Sequence, residues 1–267
     1  MLEIDTVTSR TNPTVRLVRS LYERRSARTR AGLFVAEGLR TLQTLVAHGC
    51  LMTHLLVDAG RLDETPLDLI EAAQAADARL LAVESAIFTQ ISDVESAQPV
   101  IGVFKIPNHP PPQAPTAVVV LDGIQDPGNL GSILRTCRAA RVDAVLLMKG
   151  SADPYSPKVV RATAGQFTAL PLLRLPSVEA LKTSDFTGFP AQILIADSAG
   201  GQPHTAIDWS SPFVLVLGNE AAGPSRAWDA YAAGRVRIAI APEVESLNVA
   251  AAAAVLLFEA RRDCVFE

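Results

Sequence analysis

The stretch LDGIQDPGNLGSILRTCRAA, residues 121–140, runs from an apolar strand end through a glycine-punctuated loop into a helix that carries arginines. Asn129 sits between Gly128 and Gly131 and is a favoured N-cap type, and the free amides at a helix N-terminus hold anions. Gly131 and Arg135 are four residues apart and share a helix face. The glycine leaves room for a ligand backbone, and the guanidinium reaches it a turn later. A plain N-cap with a surface arginine accounts for the same residues. No GxGxxG is present, and no Lys-Ser or Lys-Thr follows the glycines, so dinucleotide and phosphate-loop chemistry are excluded. Two more loops stand at strand ends: LGNEAAGPS, with Gly218, Asn219 and Glu220, and APEVESLNVA, where Ser246 is a cap type with Leu247 and Asn248 in the first turn. Taken singly, each reads equally as a turn or a cap.

These loops need strands to hold them. AVVVLDG, DAVLLM, QILIAD, PFVLVLG and VRIAIA are continuous apolar runs alternating with helical stretches such as SPKVVRATAG and SVEALKTS. That pattern predicts a mostly parallel sheet covered on both faces, with ligands at the carboxyl ends of its strands. The closing helix, LNVAAAAAVLLFEA, is apolar around most of its circumference and is expected to be buried. Upstream, LFVAEG, THLLVD, RLLAV and PVIGVFK alternate with helices, which describes a second, small α/β domain. The prolines of IPNHPPPQAPT lack donors and make 106–116 a stiff linker. The expected organisation is therefore a domain at 1–105, the linker, and a domain at 117–267.

Charge is unevenly placed. The net charge of the 267 residues is -4, yet Arg10, Arg16, Arg19, Arg24, Arg25, Arg28, Arg30 and Arg40 lie within a span holding only Glu23 and Glu37 as acids. A basic cluster in an acidic chain points to nucleic acid, although RRSARTR also suits a solvated helix end. Cys50, Cys137 and Cys264 form no CxxC pair, and no histidine lies at zinc-ligand spacing near them, so reduced thiols and no structural metal are expected. The start, MLEIDTVTSR, lacks the apolar core of a signal peptide, and no run reaches the ~20 apolar residues of a membrane span. A cytoplasmic protein is expected.

In sequence order, NxGxxxR (Asn129, Gly131, Arg135), LxLGNE with Gly223 (Leu215 to Glu220), and IxI followed by SLNV (Ile238, Ile240, Ser246 to Val249) resemble the motifs of the SpoU, or TrmH-like, family of RNA ribose 2′-O-methyltransferases. SPKVVRATAG resembles the segment after the first motif. NPTVRLVRSL with FVAEGLR resembles the family's small substrate-binding domain, so the likeness spans nearly the whole chain.

The resemblance implies an α/β fold in which the C-terminal segment threads a loop into a trefoil knot, preceded by a small α/β substrate-binding domain. It implies S-adenosyl-L-methionine as cofactor, held at Gly218, Ile238 and Leu247 with Ala196 and Asn219 beside them. Arg135, Asn129, Glu220 and Asn248 match the active-site positions. RNA contacts are expected at Arg10, Arg24, Arg25, Arg28, Arg30 and Arg40, joined by Lys158 and Arg161 in SPKVVRATAG. Family members dimerise through the knotted domain, so a homodimer is expected. The substrate it favours is ribosomal RNA, with tRNA or a non-catalytic RNA-binding, ribosome-assembly role as alternatives. Two positions depart from the family pattern: Ala250, where serine is usual, and Ala221, where a second glycine is usual.

Overall fold

A computed structural model describes residues 4–94, 98–182, 188–189 and 192–264. The chain divides into two compact units, Met1–Asn108 with Asp153–Thr168, and His109–Ala152 with Ala169–Glu267. The first boundary falls inside the proline-rich segment.

The first unit is built on a five-stranded sheet of β1 (Asp5–Val7), β2 (Leu33–Glu37), β3 (Met52–Asp58), β4 (Arg79–Val83) and β5 (Val100–Lys105), in the order β1-β4-β3-β5-β2. β4 pairs in parallel with β1 and β3, and β5 runs antiparallel to β3 and β2. Helix α1 (Pro13–Glu23) starts where Asn12 accepts the amide of Thr14 at 2.8 Å, with proline in the first position. Its buried face is Thr14, Val15, Val18 and Leu21, the spacing of one helical stripe. Arg24 then adopts an extended conformation, and RRSARTR forms a separate short helix, α2 (Arg25–Ala31). Helices α3 (Leu39–Ala47), α4 (Leu67–Ala75) and α5 (Ser85–Ile91) complete the alternation predicted from the sequence. At the end of β2, the buried carboxylate of Glu37 is satisfied by the Tyr22 hydroxyl at 2.9 Å, the Ser92 hydroxyl at 2.7 Å and the Gln98 amide at 3.1 Å. Burial and that carboxylate together push the Tyr22 phenol well up.

The segment Asp153–Thr168, expected with the C-terminal domain, packs into this first unit. Arg28 donates to Asp153 at 2.7 Å with both side chains almost wholly buried, and Tyr155 and Phe167 pack around Phe34 in tilted and edge-on contacts. The helix of SPKVVRATAG, α7 (Pro157–Thr163), lies in this segment.

The second unit carries seven strands, every pairing parallel: β6 (Ala117–Asp122), β7 (Ala144–Met148), β8 (Leu172–Leu175), β9 (Gln192–Ala196), β10 (Gln202–Pro203), β11 (Phe213–Gly218) and β12 (Gly234–Arg237). Their order is β10-β12-β9-β11-β6-β7-β8. After β6 the chain builds outward to β7 and β8, and later strands build on the other side, so the strand order reverses between β6 and β11. Such a reversal opens a crevice at the carboxyl ends of the two strands. β11 is buried along its whole length, and β6 up to Leu121, as apolar runs in a covered parallel sheet must be. Helix α6 (Pro127–Ala139) leads from β6 to β7, and α8 (Val249–Ala260) packs on α6 and β11.

Three expectations change. VRIAIA pairs only as far as Arg237, so Ile238 and Ile240 lie beyond the strand. SVEALKTS is a 3-10 turn over Val178–Lys182, and its last two residues lie outside the described ones. The closing helix is not fully covered: Ala253, Leu256, Leu257 and Ala260 are buried, while Ala251, Val255 and Phe258 are exposed, the last two 39% and 49%. These three follow helical spacing, so the apolar circumference resolves into one face on the core and one in solvent.

Candidate active site

The carboxyl ends of β6 and β11 and the start of α8 bring the three loops together. Asp126 caps α6, accepting the Asn129 amide at 2.8 Å, with Pro127 in the first position. Asn129 is thus not the cap that its type suggested, and its side chain is released for other work. Its Nδ2 donates to Glu220 Oε1 at 2.8 Å, and its Oδ1 accepts from Asn248 Nδ2 at 3.0 Å. Asn248, and not Ser246, caps α8: its Oδ1 accepts the Ala250 amide at 2.9 Å. The direction of the chain is self-consistent. An acceptor is required at Ala250 N–H and a donor at the Glu220 carboxylate, which sets both asparagine amides.

The β11 loop is held as tightly. Asn219 donates to the Gly123 carbonyl at 2.9 Å and accepts the amides of Ala221 and Ala222 at 2.9 and 3.0 Å. Gly223, at φ +69°, turns the chain back so that its amide reaches the Asn219 carbonyl. A Cβ on Gly218 would strike the backbone of Gly223 and Pro224. Glycine at 218 is therefore dictated by the chain's own turn, where the sequence suggested close approach of a ligand.

These elements enclose a cavity of about 810 Å³ within the second unit, the size range of small-molecule sites. All five residues matched to cofactor binding, Ala196, Gly218, Asn219, Ile238 and Leu247, line it, as do Glu220 and Asn248. Sequence reasoning missed a charged part of the lining, where Arg235 pairs with Asp197 at 2.6 Å and with Asp229. Burial pushes the Asp197 carboxyl up, but the Ala199 amide and the Arg235 guanidinium outweigh it and hold the group below the usual range. Nothing in the local pattern marks that triad, because its members come from three separate elements.

Arg135 stands apart. It is exposed on α6, does not line the cavity, and makes no hydrogen bond or ion pair with the described residues. It is six residues beyond Asn129, about 9 Å along the axis. Gly131, one turn before it, is buried. Among the expected RNA contacts, Arg10, Arg24, Arg25, Arg30, Arg40 and Lys158 are exposed, and Arg161 is exposed and paired with Asp93 at 2.6 Å. Arg28 is a correction: it is 5% exposed, bonded to Asp153 and to the Leu21 and Tyr22 carbonyls that end α1, and so serves the fold.

Residues 116–258 match the SpoU rRNA Methylase family, and residues 12–102 match the MRM3-like substrate binding domain. The chain belongs to the SpoU rRNA methylase family. This SpoU-family chain is 31% identical to the 23S rRNA (uridine(2479)-2′-O)-methyltransferase of Streptomyces viridochromogenes over 91% of its length and 87% of that protein's. It is 32% identical to the 23S rRNA (guanosine(2553)-2′-O)-methyltransferase RlmP of Bacillus subtilis, over 88% and 90% respectively. Its fold matches the crystal structure of an AdoMet-bound rRNA methyltransferase from Sinorhizobium meliloti at a TM-score of 0.86 and 31% identity, covering 98% of this chain and 99% of that one.

Proposed function

We propose that this SpoU-family protein transfers a methyl group from S-adenosyl-L-methionine to a ribose 2′-hydroxyl in RNA, with ribosomal RNA as the favoured substrate. The observation that carries the reading is the chain Asn248–Asn129–Glu220 at the rim of the cavity, which joins all three motifs by directed hydrogen bonds. The cofactor fits the residues present: the volume is adequate, and the lining mixes apolar side chains with polar groups and strand-end backbone. Bound there, it would supply an electrophilic methyl on a sulfonium.

The rest of the work falls to the chain. Glu220, fixed at one oxygen by Asn129, keeps its other oxygen for the ribose hydroxyl or its proton. Asn248 ties that arrangement to the first turn of α8. Arg135 serves to stabilise developing alkoxide charge or clamp the adjacent phosphate rather than act as base. Its exposure, and that of Ala251, Val255 and Phe258 on α8, support a homodimer through the C-terminal unit in which each protomer lends Arg135 to its partner. The C-terminal segment, which among the described residues leaves the sheet after Arg237, would be the part that threads the trefoil knot. The domain at 1–105 supplies RNA affinity through Arg10, Arg24, Arg25, Arg30 and Arg40, and the protein acts in the cytoplasm.

Two relatives act on different bases, a uridine and a guanosine, so similarity leaves the target nucleotide to experiment. Mapping ribose methylation across ribosomal RNA and tRNA, from cells with and without the gene, tests the reading. One ribosomal RNA position that loses its methyl, and regains it with purified protein and S-adenosyl-L-methionine, is the expected result. A change confined to tRNA would move the substrate, and no change in either would overturn the assignment.

A further inference from the structure

Between residues 219 and 235, Trp228 alone is buried, and it sits at 0% exposure in the core formed by Val118, Val120, Val214 and Val216. The stretch that carries Glu220 and lines the cavity is otherwise partly or wholly exposed. Something must hold it down. Asp122, the last residue of β6, accepts both the Ser225 amide at 2.7 Å and the Trp228 indole N–H at 3.0 Å on one carboxylate oxygen. In the sheet Asp122 is registered opposite Gly218, so the carboxylate draws the returning chain back across the end of its own neighbour strand. That is the position where a Cβ on Gly218 would meet Pro224.

We propose that Asp122 is a positioning residue for the cavity: it anchors the loop 219–228 from its far side, as Asn219 anchors it from the near side through the Gly123 carbonyl. The two anchors end on adjacent residues, Asp122 at the end of β6 and Gly123 in the turn that leads into α6 and Asn129. Displacing one would shift Glu220 against Asn129 and open the cavity wall together. Asp122 is absent from the cavity lining and its carboxylate bonds to Ser225 and Trp228, so its effect passes through the loop. A charged acceptor suits the task, since one oxygen serving two N–H donors is best met by a carboxylate and a buried indole N–H requires a partner.

Limited proteolysis and cofactor binding test this on the full chain, and only the second depends on the function proposed above. Arg226 lies in the anchored loop and is exposed, so trypsin cleavage after it reports the fraction of time the loop is open, with the other tryptic sites as internal control. Asp122→Ala is expected to speed cleavage at Arg226 about tenfold relative to the other sites, and to weaken S-adenosyl-L-methionine binding by calorimetry about tenfold. Asp122→Asn, which keeps an acceptor oxygen, should restore both to within about threefold of the original. Should Asp122→Ala fail to fold, Trp228→Phe removes one donor while keeping a ring in the core, and should still raise cleavage at Arg226 about threefold. A folded Asp122→Ala or Trp228→Phe protein with unchanged relative cleavage at Arg226 would overturn the proposal. If the unaltered protein bound no cofactor, the functional reading would fail, while the proteolysis would still decide the role of Asp122.

Discussion

Asn129 uses both ends of its amide, giving a hydrogen to Glu220 and taking one from Asn248. Only a side chain with donor and acceptor a fixed distance apart can do that, so its closest isostere is a sharp test. Asn129→Asp sets a carboxylate against Glu220 in place of a donor and should lower single-turnover methylation about 10²-fold or more, in line with loss of one preorganised polar group. Cofactor affinity should stay within about threefold, because Asn129 does not line the cavity; measuring both separates orientation from binding. Gly218 makes a contrasting case. Since an added methyl would strike Gly223 and Pro224, Gly218→Ala should destabilise the protein by about 1–3 kcal/mol through overpacking. Thermal unfolding without cofactor reads this directly, and an unchanged Tm with weakened binding would restore the simpler view of a ligand blocked at the pocket wall.

Between neighbouring residues of one short element, roles diverge. On α2, Arg25 and Arg30 face solvent, whereas Arg28 is buried, closes the end of α1 and pairs with Asp153. Arg28→Met should cost about 3–5 kcal/mol, because it leaves the Asp153 carboxylate buried without its cation. Charge reversal at Arg24, Arg25 and Arg30 should leave Tm within a few degrees, weaken RNA binding, and flatten its dependence on salt. Chemical denaturation and salt-titrated RNA binding on the two proteins check the pair. Equal loss of stability in both, or an unchanged salt slope in the triple variant, would contradict this division of labour.

For the molecule as a whole, the role proposed for Arg135 requires it to reach a site from which, within one chain, it stands apart. Within one chain the network of Asn129, Glu220 and Asn248 is complete and Arg135 is not in it. A partner protomer packed on the exposed stripe of α8 would supply it, and closed two-fold symmetry would make two such sites. Mixing Arg135→Ala protomers with Asn129→Asp protomers is decisive. In a shared site, the first protomer's intact network meets the second's intact arginine, and random mixing should recover roughly a quarter of the unaltered activity. No recovery from mixed dimers shown to form would place each site within one chain, and a monomer in solution would remove the shared site altogether.

Composition and period determined a good deal without help. The continuous apolar runs of the second unit set parallel strands, and the Val15–Val18–Leu21 stripe set α1. These are local properties, in which a few neighbours along the chain decide the outcome. The order of the three loop motifs carried the family resemblance and named several of the residues that line the cavity, because residue type and spacing survive in sequence. What depended on distant partners was decided only in three dimensions. Asp126 and Asn248 took the caps that Asn129 and Ser246 were expected to hold. Arg28 was read as one more surface cation until Asp153, 125 residues away, neutralised it inside the fold. Asp122 gave no signal as a strand-end acid, since its two donors come from a loop that follows β11. Burial and hydrogen-bond satisfaction are properties of pairs, and a pair separated by a hundred residues exists only once the sheet has set its strands side by side.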